Sequence, residues 1–295
     1  MRVKQEGFGR VRWGVMPVVL AVAATLNVSA QDRARHVTQD EQTFKVSGTP
    51  HVLVSTFDGT IRIESWDRPE VRCQVEKRGR TQSDIDRIEI IASQNGNDIQ
   101  YEAKARSRVN WNSNLQANLT ISVPRQANLT ARSGDGNIDA RDMTGEISLH
   151  TGDGSVTASR LSGILNVQTG DGSMDLTDVS GRLQAQTGDG RMNIRGRFTE
   201  LDARTGDGSM DVAIEPGSEM NSAWSLKTGD GSIQLGLPDG FSAELDVHTN
   251  DGSISTELPV MISGKLGHTL RGRLNQGGKT LTVHTGDGSI TLRRN

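Results

Sequence analysis

The sequence predicts an all-β protein: a β-solenoid, or parallel β-helix-like stack of coils of about 18 residues, preceded by an N-terminal β-rich segment. Three observations carry this. A Thr-Gly-Asp-Gly-Ser motif recurs with its aspartates at Asp135, Asp153, Asp171, Asp189 and Asp207, 18 residues apart four times running. Apolar and polar residues alternate on both sides of each motif, the period of a strand. After the first 30 residues no segment shows a sustained helical period.

At the start, Arg2, Lys4, Arg10 and Arg12 precede an apolar run over residues 15–28 and the small-residue sequence Val28-Ser29-Ala30. This reads as a secretory signal peptide over residues 1–30. A membrane span would need roughly 20 apolar residues, and this run is shorter and broken by Pro17, Thr25 and Asn27. No cysteine lies near the cleavage point to accept a lipid. The expectation is an exported chain, periplasmic, envelope-bound or extracellular, with no membrane span once the signal is removed. Residues 31–46 are polar and aperiodic and read as a leader.

Residues 47–127 read as an N-terminal strand region. Val52, Val54 and Thr56 alternate up to Asp58-Gly59, and Ile61 and Ile63 resume the alternation. Val71, Cys73 and Val75 follow the Asp67-Arg68-Pro69 turn. Ile88, Ile90 and Ala92 form another strand, closed by the turn dipeptide Asn95-Gly96 before Ile99 and Tyr101. Residues 83–91 also admit a helical turn. The cleanest alternation runs Leu115, Ala117, Leu119, Ile121, Val123 and stops at Pro124.

Residues 128–295 are the repeat. Beyond Asp207 the spacing loosens to Asp230, Asp251 and Asp287, intervals of 23, 21 and 36 residues. The longest interval equals two periods, so His268-Thr269-Leu270 reads as a degenerate coil, giving about nine coils from Leu129 onward. The additions carry Pro216-Gly217-Ser218 and Pro238-Asp239-Gly240, turn formers suited to surface loops. Within a unit, Leu165, Val167 and Thr169 share a face, Gly170-Asp171-Gly172 turns the chain, Met174 and Leu176 resume, and Ser180-Gly181 turns it again. Such a unit is too small to bury its own apolar face, and stacking buries it. A series of antiparallel hairpins is the competing architecture, but hairpins place no demand on identical spacing.

The net charge of −3, with both signs interspersed, predicts neither nucleic acid nor an anionic membrane surface as partner. Cys73 is the only cysteine, so no intramolecular disulfide can form, and it reads as a small buried strand residue.

The repeated aspartates are the obvious candidates for chemistry. A structural account is complete in itself: glycine supplies positive φ, and aspartate bonds the amides of its own turn. In a stack, however, carboxylates about 4.8 Å apart repel by roughly 1 kcal/mol in water-like surroundings. Arg132, Arg204 and Lys227, just before the motif, could offset this. So could calcium, held by Asp135, Asp153, Asp171, Asp189, Asp207, Asp230, Asp251 and Asp287, since hard oxygen ligands in series suit that ion. One aspartate turn per coil against a need for six to eight oxygens makes calcium the lesser reading, and no cofactor is expected.

His150, His248 and His284 share one repeat position, but Gln168 and Gln186 hold it in intervening coils. A zinc row would therefore lack adjacent ligands, and a solvated stripe is preferred. The column Val156, Met174, Met192, Met210, Ile233, Ile254, Ile290 reads as core. Trp66, Trp111, Trp224 and Tyr101 are few for a sugar-stacking groove; Trp224, in the first insertion, is the best candidate for an exposed anchor, but burial under its own loop is the preferred reading.

The run Leu119-Thr120-Ile121-Ser122-Val123-Pro124, the segment Leu129-Thr130-Ala131-Arg132-Ser133-Gly134-Asp135-Gly136 and the Gly-Asp-Gly-Ser-apolar units resemble the bacterial candidate-adhesin domain of unknown function, and the related head domain of auto-transporter-type adhesins. The resemblance spans about residues 46–294 and implies an envelope-located β-solenoid; no catalytic or binding residues come with it. No residue is assigned a catalytic role. A non-enzymatic envelope or surface interaction scaffold is the preferred function, its partner an unknown envelope or surface protein or a polysaccharide. The alternatives are a calcium-stabilised exported module and a β-helix enzyme acting on acidic polysaccharide. Residue-specific function is expected where the period breaks, between Asp207 and Asp251 or between Asp251 and Asp287.

Overall fold

The computed structural model describes residues 36–106, 115–262 and 267–295. Residues 1–30, read as a signal peptide, and Trp111 lie outside them.

The chain opens with β1 (His36–Lys45), β2 (His51–Thr56), β3 (Ile61–Trp66) and β4 (Glu70–Gly79). A single helical turn, α1 (Gln82–Ile85), is closed at its start by a reciprocal box in which the Thr81 hydroxyl accepts from the Asp84 amide and the Asp84 carboxylate accepts from that of Thr81. Then come β5 (Ile88–Asn95), β6 (Asp98–Ala105) and β7 (Gln116–Pro124). The repeats supply β8 (Asn128–Ser133), β9 (Ile138–Thr151), β10 (Val156–Thr169), β11 (Met174–Gln186), β12 (Met192–Arg204), β13 (Met210–Ile214), β14 (Trp224–Lys227), β15 (Ile233–Leu237), β16 (Ala243–Thr249) and β17 (Ile254–Thr256). β18 (Val260–Ile262), β19 (Thr269–Leu274), β20 (Thr280–Thr285) and β21 (Ile290–Arg294) complete the chain.

These strands stack as coils with two walls. One wall runs β5-β6-β2-β8, then the C-terminal halves of β9 to β12, then β14-β20-β16-β19-β18. The other runs β1-β4-β7-β3, the N-terminal halves of β9 to β12, then β13-β15-β21-β17. The central strands pair parallel with an offset of 18, as in Val156↔Met174, so the solenoid and not the hairpin series is the architecture.

The core is a set of columns. Leu129, Ile147, Leu165, Leu183 and Leu201 lie in register on one wall, and Ile138, Val156, Met174, Met192, Met210, Ile233 and Ile290 on the other, all buried. The second column is the one expected as packing. Trp224 is also core, at 1% exposure, with Phe241 5.5 Å and Phe198 6.4 Å away and its indole N–H donating to the Thr199 carbonyl. It is therefore buried, the preferred of its two readings, because alternation on β14 turns it inward.

Four other expectations change. The polar stretch read as leader forms β1 from His36 to Lys45, paired antiparallel along β4; an edge strand with solvent on much of both faces carries no apolar alternation to betray it. The division at residue 127 does not divide packing. Asp58-Gly59 is the corner of a full coil, with β2 on β8 and β3 on β9. His268-Thr269-Leu270 is not a degenerate coil: β19 returns antiparallel on β16, and β18 on β19. Most consequentially, the last coil in sequence is not last in space. β20 lies between β14 and β16, and β21 between β15 and β17. The first coil is enclosed in the same way, β2 lying between β6 and β8. Both outer coils are consequently tied down by neighbours on either side.

Candidate functional site

The Thr-Gly-Asp-Gly corner is built from the threonine upward. Thr151, Thr169, Thr187, Thr205, Thr228, Thr249 and Thr285 all point inward and are buried. Each hydroxyl donates across the stack to the carbonyls of both corner glycines in the next coil; Thr169 reaches Gly152 O at 3.0 Å and Gly154 O at 2.8 Å, and Thr285 reaches Gly231 O at 2.7 Å. The first glycine's amide donates to the same glycine of the adjacent coil, Gly170 to Gly152 and Gly188 to Gly170. These ladders satisfy corner groups that no regular strand pairing reaches.

The glycines follow from this closeness rather than from positive φ. At Gly172 a Cβ would run into the Gly154 carbonyl of the adjacent coil, and Gly154 stands in the same relation to Gly136. Apart from Gly59 (134°) in the first corner, positive φ in the coils belongs to the opposite corner: Gly145 (147°), Gly163 (119°) and Gly181 (109°), each three residues after a non-glycine in the left-handed region, Asp142, Arg160 and Asp178. There Arg160 makes a bidentate bridge to Asp142 at 2.6 and 2.9 Å, which holds that carboxyl below its ordinary range.

The eight aspartates offered as calcium ligands, from Asp135 to Asp287, line one edge of the rod in register, and all are exposed. Among the described residues none of them makes an ion pair. Arg204 bridges Asp202 at 2.8 Å and not the ladder, and Arg132 and Lys227 bridge nothing. Among the described residues no three His, Cys, Asp or Glu side chains converge as a metal would require. Asp58, half-buried at the head of the ladder, differs: burial, then the charge of Asp135, pushes its carboxyl up against the pull of the Gly59 amide.

The histidines are rearranged by the enclosed last coil. His150 stays apart, but His248 and His284 become register neighbours with ring centroids 5.1 Å apart, edge to face. Their row on the outer face continues through Lys227 to Arg204. Spacing along the chain could not reveal this row, because its members are neighbours only once β20 is placed inside the stack.

Elsewhere, a recess of about 1910 Å³ wraps the free edge of β1. Asp40, Gln42 and Phe44 alternate toward its inner side, Gln39 and Glu41 toward its outer. Burial would raise the Glu76 carboxyl there, but hydrogen bonds from Arg78, Gln39 and Asn118 outweigh it and hold the group low. Trp66 is half-buried between the Arg68 and Arg72 guanidinium groups, 5.0 and 4.7 Å from its ring, and donates to Glu70 O. Cys73 is fully buried on β4, its thiol pushed up by that burial. Tyr101 is buried with its hydroxyl unpartnered among the described residues.

With this geometry in view, the family profile of Toastrack DUF4097 matches residues 51–293. The chain belongs to the Toastrack family. The matched span includes the Asp58 coil, so the Toastrack unit begins at β2 and not at the tandem repeat. No curated protein matches the chain. Among solved structures it is similar to a candidate cell adhesion protein from Clostridium sporogenes, at 14% identity, 88% of this chain, 100% of that one and a TM-score of 0.33. It is also similar to a candidate adhesin from Parabacteroides merdae, at 11% identity, 86% and 95% coverage and a TM-score of 0.44. A third is a candidate lipid-binding protein from Parabacteroides distasonis, at 8% identity, 87% and 96% coverage and a TM-score of 0.31. Likenesses this distant lend no weight to a function for this Toastrack chain. Among its described residues no helix is long and apolar enough to cross a membrane.

Proposed function

We propose that this Toastrack protein is a non-enzymatic, exported envelope or surface protein, an adhesin-like scaffold akin to auto-transporter adhesin heads. It binds a surface protein or polysaccharide through the flat faces of its rod and needs no cofactor. The observation that carries the reading is that the repeated motif is consumed internally. Its threonine hydroxyls and first-glycine amides are spent on inter-coil bonds, and its aspartates stand singly in solvent. What repeats along the outside is a regular polar surface, the geometry of a docking face more than of a single reactive centre.

A β-helix enzyme would need irregular loops gathering an acid, a base and ligands beside one coil. Calcium would need oxygens converging within about 2.6 Å of one point. Neither has a supporting observation here.

The test is photo-cross-linking in intact cells from two positions on opposite walls, Gln186 and Thr157. Capture of one defined protein or glycan from one wall, by a mature chain lacking residues 1–30, is the expected outcome. A chain retained uncleaved in the cytoplasm, or no capture from either wall, would sink the reading.

A further inference from the structure

We propose that the outer face at β14 and β20 carries an oxyanion site, formed by Ser225, Lys227 and His284 with His248 alongside, that takes phosphate groups and binds them in step with protonation of His284. This deepens the interaction-face reading by naming what the face would hold.

Four observations bring the site together. Lys227 and His284 are register partners on adjacent parallel strands, about 4.8 Å apart in the pairing direction, and Ser225 is partner to Thr282 two residues earlier on the same strands. Lys227 is exposed and makes neither ion pair nor hydrogen bond among the described residues. The Ser225 hydroxyl is buried beside it with no hydrogen-bond partner among them, which calls for an explanation in a native fold. The His284 ring, touched by His248 edge to face, likewise makes no hydrogen bond. An ammonium, a hydroxyl and a ring N–H facing one patch with nothing accepting from them are donors in want of an anion.

The surrounding charges set the sign. On the β12 side Arg204 is neutralised by Asp202. On the β16 side Asp246 is occupied by Arg271 of β19, and His248 is committed on both nitrogens, to Thr269 and Asn250 at 3.0 Å each. The flanking row between them, Ser225 and Thr282, is uncharged. Partial burial, then the neighbouring His248 and Lys227, hold the His284 imidazole below its ordinary range, with Asp246 pulling the other way. An anion seated against Lys227 would reverse the balance, so binding and protonation of His284 reinforce each other.

Side-chain NMR of His284 in the full mature chain tests this, with inorganic phosphate and with glucose 6-phosphate as probes. Either probe should raise the titration midpoint of His284, and inorganic sulfate, whose charge is constant between pH 5.5 and pH 7.5, should bind several-fold tighter at the lower pH. Phosphate alone acting would identify a free anion as the ligand, and equal or tighter binding of the sugar phosphate would identify a glycan-borne group. Lys227→Gln and Ser225→Ala should weaken binding while amide spectra away from the patch stay unchanged. His284→Gln, the residue used at this position by Gln168 and Gln186, should fold normally and retain weak binding, with no pH dependence toward sulfate. Unmoved His284 resonances with both probes, equal shifts in Lys227→Gln, or pH-dependent sulfate binding surviving in His284→Gln would overturn the proposal. Failure here would leave the cross-linking result untouched, so the two readings fall separately.

Discussion

At the scale of single residues, the motif's four positions divide their labour unequally. The threonine is buried and bonds two carbonyls of the adjacent coil, whereas the aspartate stands in solvent without a partner. Asp58 is the exception, because partial burial and Asp135 raise its carboxyl. A carboxyl raised on folding favours the protonated form, so its contribution is fully present below the ordinary carboxylate range and is lost as pH rises through the folded value. Asp58→Asn should therefore melt higher than wild type at pH 7, with the difference vanishing near pH 3; differential scanning calorimetry across that range checks it. His284 carries the opposite dependence. Its imidazole is lowered on folding, so stability is full above the ordinary histidine range and falls as pH drops through it. His284→Gln should flatten the melting temperature between about pH 7 and pH 5, the interval around the unperturbed histidine value.

At the scale of elements, the coil was legible in the sequence and the reason for its glycines was not. Equal spacing from Asp135 to Asp207 requires in-register stacking, and alternation at Leu165, Val167 and Thr169 gives the buried face. The demand for glycine comes from the adjacent coil, which a single unit's sequence does not display: a Cβ on Gly172 meets the carbonyl of Gly154. Gly172 does not lie in the left-handed region, so Gly172→Ala should cost about 1–3 kcal/mol through overpacking alone, read from urea unfolding. β1 was hidden for a different reason. Its partner β4 alternates Val71, Cys73, Val75 toward the core, whereas β1 places Asp40, Gln42 and Phe44 opposite them at the open end of the walls. An inward-facing charge on an edge strand discourages further pairing and erases the apolar period that would announce the strand.

At the scale of the whole molecule, period counting adds a coil at His268 that the chain does not make, and it cannot give coil order. The interval of 36 residues between Asp251 and Asp287 suits a missing coil as well as it suits a hairpin followed by a return into the stack. The structure takes the second course, with β20 between β14 and β16. The face around Lys227, His284 and His248 exists only in that order, and it falls in the disturbed stretch where residue-specific function was expected. A cysteine pair placed at Ser225 and Thr282 in a Cys73→Ala background should oxidise to a cross-link, since register partners lie within disulfide reach. A pair at Ser225 and Asp246, two strands apart, should not. The reverse pattern on a non-reducing gel would mean the coils stack in chain order.

The central claim is that the Thr-Gly-Asp-Gly corner is held by threonine and glycine hydrogen bonds, with its aspartate free. The most direct measurement compares thermal unfolding of wild type, Thr169→Val and Asp171→Asn, each with added calcium and with chelator. Losing a buried hydroxyl that serves two carbonyls should destabilise by about 1–2 kcal/mol. Neutralising an exposed, unpaired carboxylate should change stability by no more than about 0.5 kcal/mol, and neither calcium nor chelator should move any of the three curves. A wild-type melting temperature that falls with chelator, together with an Asp171→Asn loss exceeding that of Thr169→Val, would contradict the account.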